Sequence, residues 1–211
     1  MIGCRPFSDA EVVSLFEGFA GPFEYRDRCL LILGLRSGPR VSEMLRLKVR
    51  DVVINNRVRR FVSLKQTKTD ETREIELDRD EQTAVFAAIK ALHLSGCWSP
   101  DTYLFRSREG GNRPISRSRA WQIIHGTARR LGLDGKIGTH SMRKTFANNM
   151  YEELERLRMA GEHVDPLIET ARAGGWKSLE GLRNYLDFRR EHIRQAKRAL
   201  SGRHGRIPCP C

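Results

Sequence analysis

Two arginines, a histidine, a tyrosine and a lysine-bearing turn are spread along this 211-residue chain in a set that could serve one phosphate. Arg40 and Glu43 are three residues apart, as are His140 and Arg143, so each pair falls on one face if its segment is helical. Trp176 and Tyr185 follow, and a polar stretch containing lysine, 67–72, lies between two segments of strand-like pattern. Each has an ordinary reading when taken alone: a surface ion pair worth about a few tenths of a kcal/mol, a structural histidine, core aromatics with a hydrogen-bonded tip. Together they match what phosphodiester transfer requires. Cations meet the non-bridging oxygens, where charge grows in the transition state, and a nucleophile and an acid for the leaving oxygen complete the set.

The elements that must hold these groups can be read from pattern. Ser8-Asp-Ala-Glu11 is a capping box ahead of Val12, Leu15, Phe16 and Phe19, which predicts a helix over 8–19. Tyr25 to Leu35 is strongly apolar and predicts a buried helix, ended by the Ser37-Gly38-Pro39 turn. A short helix beginning near Pro39 then turns Val41, Met44, Leu45 and Leu47 inward. Val52 to Ile54, Asn55-Asn56, and Val58 to Leu64 read as strand, tight turn, strand, and Arg73 to Leu77 alternates as a third strand. Helices are predicted over 79–94, 116–131 and 139–159. Asp165-Pro166 starts a further helix, and Ser178 caps another that runs to Phe188. A basic amphipathic segment, Arg189 to Leu200, precedes a Gly- and Pro-rich tail. The expected fold is α+β, mainly α-helical with one small three-stranded antiparallel sheet, forming a single domain over 1–200 with a flexible tail over 201–211.

Composition narrows the partner. Lys and Arg number 38 against 26 Asp and Glu, a formal net charge of +12, which points to a polyanion. No apolar run approaches the roughly 18 residues of a membrane span, and the N-terminus lacks a signal-peptide core. A soluble, cytoplasmic, nucleoid-associated protein that binds nucleic acid rather than membrane is expected. The five cysteines are odd in number and scattered, which favours reduced thiols over a disulfide framework. Cys209-Pro-Cys211 has no accompanying His or Cys pair to complete a metal site. No metal or other cofactor is expected.

Four motifs in order resemble the tyrosine recombinase (phage integrase) family. Ser37-Gly-Pro-Arg-Val-Ser-Glu-Met-Leu45 is similar to its first motif, with Arg40 as the first catalytic arginine and Glu43 as the acidic residue after it. Thr139-His-Ser-Met-Arg-Lys-Thr-Phe146 resembles the His-x-x-Arg motif, giving His140 and Arg143. Gly174-Gly-Trp-Lys-Ser and Arg183-Asn-Tyr-Leu resemble the last motif, in which a His or Trp stands nine residues before the tyrosine nucleophile, as Trp176 does before Tyr185. The family places a catalytic lysine on a β-hairpin between the first two arginine motifs. Gln66-Thr-Lys-Thr69 is the matching stretch, so the resemblance implies Lys68, with Lys65 as the alternative.

The roles follow from residue chemistry. Arg40 and Arg143 offer planar bidentate donors that lysine does not reproduce. Glu43 reads either as an orienting partner of one arginine or as half of a surface ion pair. His140 can hydrogen-bond phosphate or take the tyrosine proton. Trp176 donates only through its indole N–H, so it can position phosphate but not carry a proton. Tyr185, with a free phenol pKa of about 10, needs these neighbours to act as a nucleophile. Lys68 suits protonation of the leaving 5′-hydroxyl. The resemblance implies a 3′-phosphotyrosyl intermediate on double-stranded DNA, formed without metal or ATP, and a tetramer on two duplexes. The nearest alternatives are a type IB topoisomerase and a non-catalytic DNA-binding regulator on the same fold. Two departures stand out. The first helix begins near Ser8, without the helical domain that precedes it in most family members, so an accessory DNA-binding protein is one expected partner. The Tyr151 to Asp165 stretch also lengthens the spacing between Arg143 and Trp176.

Overall fold

The Glu11 carboxylate accepts from the Ser8 amide at 2.8 Å and the Ser8 hydroxyl accepts from the Glu11 amide at 3.4 Å. This capping box starts helix α1, Asp9–Gly18, where the sequence predicts it. The computed structural model describes residues 3–65, 72–186 and 197–198. Helix α2, Glu24–Arg36, buries Cys29, Leu30, Leu31, Leu33 and Leu35. Apolar residues on that much of its circumference require cover on several sides. Helices α5, Arg79–Leu94, and α7, Thr139–Met159, supply it. Gly34 permits the approach of α7, because a Cβ there would lie 2.7 Å from Met142 Sδ. Two short helices, α3, Val41–Met44, and α4, Val49–Val52, lead from α2 towards the strands.

The later helices also open on side-chain caps, those of Asp165 and Ser178 as read from the sequence. Asp78 accepts from the Glu81 amide at 2.8 Å to open α5, and the Ser116 hydroxyl accepts from the Arg119 amide at 3.0 Å to open α6, Arg117–Arg130. Asp165 accepts from the Leu167 and Ile168 amides to open α8, Pro166–Gly174. Ser178 caps α9, Leu179–Arg183. Among the described residues no helix is long and apolar enough to cross a membrane.

Three local expectations are corrected. The single three-stranded sheet is instead two antiparallel ribbons, β1, Val53–Ile54, with β2, Arg57–Val58, and β3, Phe61–Lys65, with β4, Thr72–Glu76. Asn55 and Asn56 both adopt positive φ, 49° and 58°, which fits the two-residue turn of the first ribbon. The chain then bends at Arg59-Arg60: the Arg59 amide donates back to the Val52 carbonyl and the Arg60 carbonyl accepts from Leu77, so pairing is not carried from β2 to β3. Val52 belongs to α4 rather than to a strand, because the Asp51 carboxylate accepts from the Lys48 amide at 2.8 Å and opens a helical turn that the β-branched run conceals. Helix α9 ends at Arg183, short of Phe188, which itself lies outside the described residues.

The main core gathers α2, α5, α6 and the inward faces of the ribbons, with Val62, Leu64 and Ile75 buried. A second, smaller cluster of Ala147, Ala171, Leu182 and Leu186 forms between α7, α8 and α9. Trp176 and Tyr185 pack on it. The last motif therefore has its own apolar seat.

Candidate active site

Arg40 stands at the turn between α2 and α3. Gly38 takes φ +60° there, and a Cβ on it would lie 2.2 Å from Phe146 Cδ1, so the turn requires glycine on both counts. The Arg40 amide donates to Glu43 Oε2 at 3.0 Å and its Nη1 donates to Oε1 at 2.9 Å. The Glu43 side chain is only 1% exposed while that of Arg40 is 41% exposed. Of the two sequence readings of Glu43, the buried orienting partner is therefore the one the geometry fits. Arg40, His140 and Arg143 line one pocket of about 500 Å³ with Arg117, Ser118 and Thr139.

Helix α7 delivers His140 and Arg143 from its first turns. Arg143 is buried, and its Nη1 donates to the Gly38 carbonyl, which ties the second motif to the first across 105 residues. Its Nε and Nη2 are buried and have no hydrogen-bond partner among the described residues. Burial, then the positive charge of Arg40, lowers the Arg143 pKa. His140 is lowered as well, by partial burial of its ring and then by the charges of Arg143 and Arg40.

Trp176 and Tyr185 close the site from the other side. Helix α8 is capped just beyond its end by Gly175 with φ +67°, and the Trp176 amide donates to the Ala171 carbonyl at 2.9 Å. The Trp176 ring stacks on Phe146, with centroids 6.4 Å apart, and lies over the Arg143 guanidinium at 3.8 Å. Tyr185 follows α9 in a tight turn, its amide donating to Leu182 at 2.7 Å and its carbonyl accepting from Asn148 Nδ2 at 3.0 Å. That fixes the phenol: its hydroxyl lies 3.5 Å from His140 Nδ1 and its ring 5.5 Å from the Arg143 guanidinium.

Six of the seven residues singled out from sequence, Arg40, Glu43, His140, Arg143, Trp176 and Tyr185, thus lie in one connected constellation. Lys68 falls in 66–71, outside the described residues, as do Cys209 and Cys211. Lys65, the alternative, is the exposed last residue of β3, paired across the ribbon with Thr72. Sequence reading missed Arg73, whose Nη2 lies 3.9 Å from Glu43 Oε2 and whose Nη1 donates to the Ala173 carbonyl. A signal was present, because the alternation of 73–77 aligns Arg73 with inward-facing Ile75 and Leu77.

The chain as a whole is similar to known proteins. The family model for the phage integrase family matches residues 7–192. The probable integrase/recombinase YoeC of Bacillus subtilis is 31% identical over 146 residues, which cover 68% of this chain and 74% of that protein. The tyrosine recombinase XerD of Corynebacterium glutamicum is 31% identical over 143 residues, 68% of this chain and 45% of that protein. In the solved structures, XerH site-specific recombinase bound to palindromic difH substrate in a post-cleavage complex superposes with a TM-score of 0.67 at 20% identity, covering 93% of this chain and 52% of that one. The chain thus spans about half the length of XerD and XerH. By a family match over most of its length, and by a fold shared with XerH, this chain belongs to the phage integrase family of tyrosine recombinases.

Proposed function

We propose that this chain is a site-specific DNA recombinase that cuts and rejoins duplex DNA through a tyrosine ester. The observation that carries the reading is Arg143: a buried guanidinium whose Nε and Nη2 have no hydrogen-bond partner among the described residues, flanked by the exposed guanidinium of Arg40 and by the imidazole and phenol of His140 and Tyr185. A buried cation in that state is costly unless an anion completes its hydrogen bonds. A phosphodiester supplies two non-bridging oxygens for the purpose.

In the proposed step the Tyr185 oxygen attacks phosphorus and its proton passes to neutral His140. The bond from phosphorus to the 5′-oxygen breaks, leaving a 3′-phosphotyrosyl ester and a 5′-hydroxyl. Arg40 and Arg143 hold the non-bridging oxygens as charge grows. Glu43 orients Arg40. Trp176 stacks on the Arg143 guanidinium and so helps to hold it, while its indole N–H positions the phosphate. Lys68, with Lys65 as the alternative, protonates the leaving 5′-oxygen. Because the ester keeps the bond energy, a 5′-hydroxyl from another strand reverses the step without ATP, and no metal ion takes part. XerH is described on its DNA substrate, which supports double-stranded DNA as the partner here. Exchange between two duplexes calls for four protomers, and an accessory DNA-binding protein is a further proposed partner.

The test uses the full chain with a pool of labelled duplexes of randomised sequence, in which joint molecules carrying strands from two parents are amplified and sequenced. Recombinant joints from a defined sequence are expected. Relaxation of supercoiled plasmid without exchange would favour a type IB topoisomerase instead, and binding without cleavage would favour a regulator.

A further inference from the structure

Glu81 is a buried acid that touches none of the groups assigned to phosphate. It lies in the first turn of α5, where Oε2 accepts from the Asp78 amide at 2.9 Å and completes the capping box. The helix cap needs only that oxygen. Oε1 accepts instead from the Ser37 hydroxyl at 2.5 Å, which joins α5 to the residue just before the Gly38 turn. Glu81 is only 2% exposed, and a carboxyl group that buried ordinarily has a cationic partner. Arg36, the cation whose charge reaches it, pairs with Asp78 and Asp80, and Glu81 has no ion pair among the described residues.

From Ser37 the connection runs to Arg143. The Ser37 amide closes α2 on the Leu33 carbonyl at 3.2 Å, Gly38 follows at φ +60°, and the Gly38 carbonyl accepts from Arg143 Nη1. Arg143 Nε and Nη2 have no hydrogen-bond partner among the described residues. The stacked Trp176 ring fixes the plane of this guanidinium, and the bond to Gly38 sets its direction within that plane. Beside the turn lies a cavity of about 420 Å³ lined by Ser37, Phe146 and Met150 among others, so the turn has room to shift once its tie to α5 is cut. The charges that act on Arg143 are those of Arg40, Tyr185, Arg73 and Glu43. Glu81 is not among them, so its influence passes through Ser37 and the backbone of the turn.

We propose that Glu81 is a positioning residue: by holding the Ser37 hydroxyl it fixes the Gly38 carbonyl, and so aims the Arg143 guanidinium at the non-bridging oxygens of the scissile phosphate. The inference rests on the recombinase reading above. Its chemical signature is that of the guanidinium it aims. Arg143 answers charge on a non-bridging oxygen, and a methyl group in place of that oxygen removes the charge and most of the demand on guanidinium placement. In both substrates Tyr185 attacks phosphorus, its proton passes to His140, and the bond to the 5′-oxygen breaks.

Full-length wild type, Ser37→Ala, Glu81→Ala, Glu81→Gln and Val85→Ala are compared in single turnover on nicked duplexes recovered from the randomised pool. Each duplex is made with an ordinary scissile phosphate or with either methylphosphonate diastereomer, and release of the 5′-hydroxyl strand is followed at saturating protein. Ser37→Ala and Glu81→Ala are expected to slow release by about 10- to 100-fold on phosphate, the range for a misplacement of up to about 1 Å. On one of the two methylphosphonates the loss shrinks to less than about 3-fold. Glu81→Gln, which keeps a hydrogen bond to Ser37, stays within about 3-fold of wild type on phosphate. Val85, buried one turn further along α5, supplies the control: Val85→Ala lowers the melting temperature and leaves the rate unchanged. Should Glu81→Ala fail to fold, Ser37→Ala, which leaves the capping box in place, carries the comparison. Equal losses on all three substrates, a wild-type rate in Ser37→Ala, Glu81→Gln as slow as Glu81→Ala, or an equal loss in Val85→Ala would overturn the inference. Absence of strand release by wild type would instead defeat the recombinase reading itself, and the inference with it.

Discussion

The guanidinium of Arg143 lies 3.8 Å from the centre of the Trp176 ring, and the same ring stands edge-on to Tyr185 with centroids 5.1 Å apart. One indole therefore backs both the buried cation and the tyrosine, offsetting part of the cost of keeping a guanidinium away from water. Tyr185 stands nine positions after Trp176, and α9 folds that interval so that both land on the small cluster between α7, α8 and α9.

Displacing that ring should disable the site while leaving the main core intact. A Cβ on Gly174 would lie 1.7 Å from Trp176 Cζ3, so Gly174→Ala must push the indole off Arg143. Adduct formation is expected to slow by about 10- to 100-fold, with altered near-ultraviolet circular dichroism and a small change in melting temperature. A variant with the wild-type rate would show that the stacking is incidental.

The turn before Arg40 should be sensitive to a single methyl group. Gly38→Ala adds strain at φ +60° and drives a carbon into the Phe146 ring, for a loss of at least about 2 kcal/mol of stability. Urea denaturation measures it. Two-state unfolding with an unchanged midpoint would contradict the geometry.

Glu81 predicts an unusual pH dependence of stability. It is buried beneath this turn, accepts from the Ser37 hydroxyl at 2.5 Å, and is raised by burial from 4.5 to about 7. The folded state keeps a proton that the unfolded state releases, so this contribution is complete below pH 4.5 and is lost as pH rises to about 7. Its slope is at most about 1.4 kcal/mol per pH unit. Glu81→Gln, which can still accept from Ser37, should flatten that slope in urea midpoints taken across the window; an identical profile in the variant would refute the assignment.

Much of this arrangement was legible in the sequence because its signals are local. Ser8 with Glu11, Asp165 with Pro166 and Ser178 each define a helix start within a few residues, and Asn55-Asn56 defines a turn. The strand reading failed at Val52 because β-branched residues favour a strand, while a single capping carboxylate, Asp51, imposed a helical turn. Arg73 escaped notice because the alternation of 73–77 shows only that it faces inward, while its contact to Ala173 spans 100 residues. Trp176 was read by its N–H, whereas its position is set by ring contacts with Phe146, Arg143 and Tyr185 that exist only once three helices are packed.

His140 should govern the acid limb of the reaction. Its pKa is lowered by burial and by the neighbouring arginine charges, so the imidazole is neutral and able to take the Tyr185 proton at neutral pH. Single-turnover adduct formation is expected to be flat around neutrality and to fall only below the ordinary histidine range of about 6.5. His140→Gln should slow the reaction by about 100-fold or more and abolish that limb. An unchanged limb in the variant would assign it to another group.

The most direct test of the central claim is the covalent bond itself. Wild type and Tyr185→Phe are incubated with the nicked duplex pool, denatured in SDS, digested with protease and nuclease, and the surviving adduct is mapped by mass spectrometry. Wild type is predicted to carry a 3′-linked nucleotide on Tyr185, with a free 5′-hydroxyl on the other DNA end, and Tyr185→Phe to bind DNA without forming any adduct. An adduct that persists in Tyr185→Phe, or one mapped to another residue, would contradict the account.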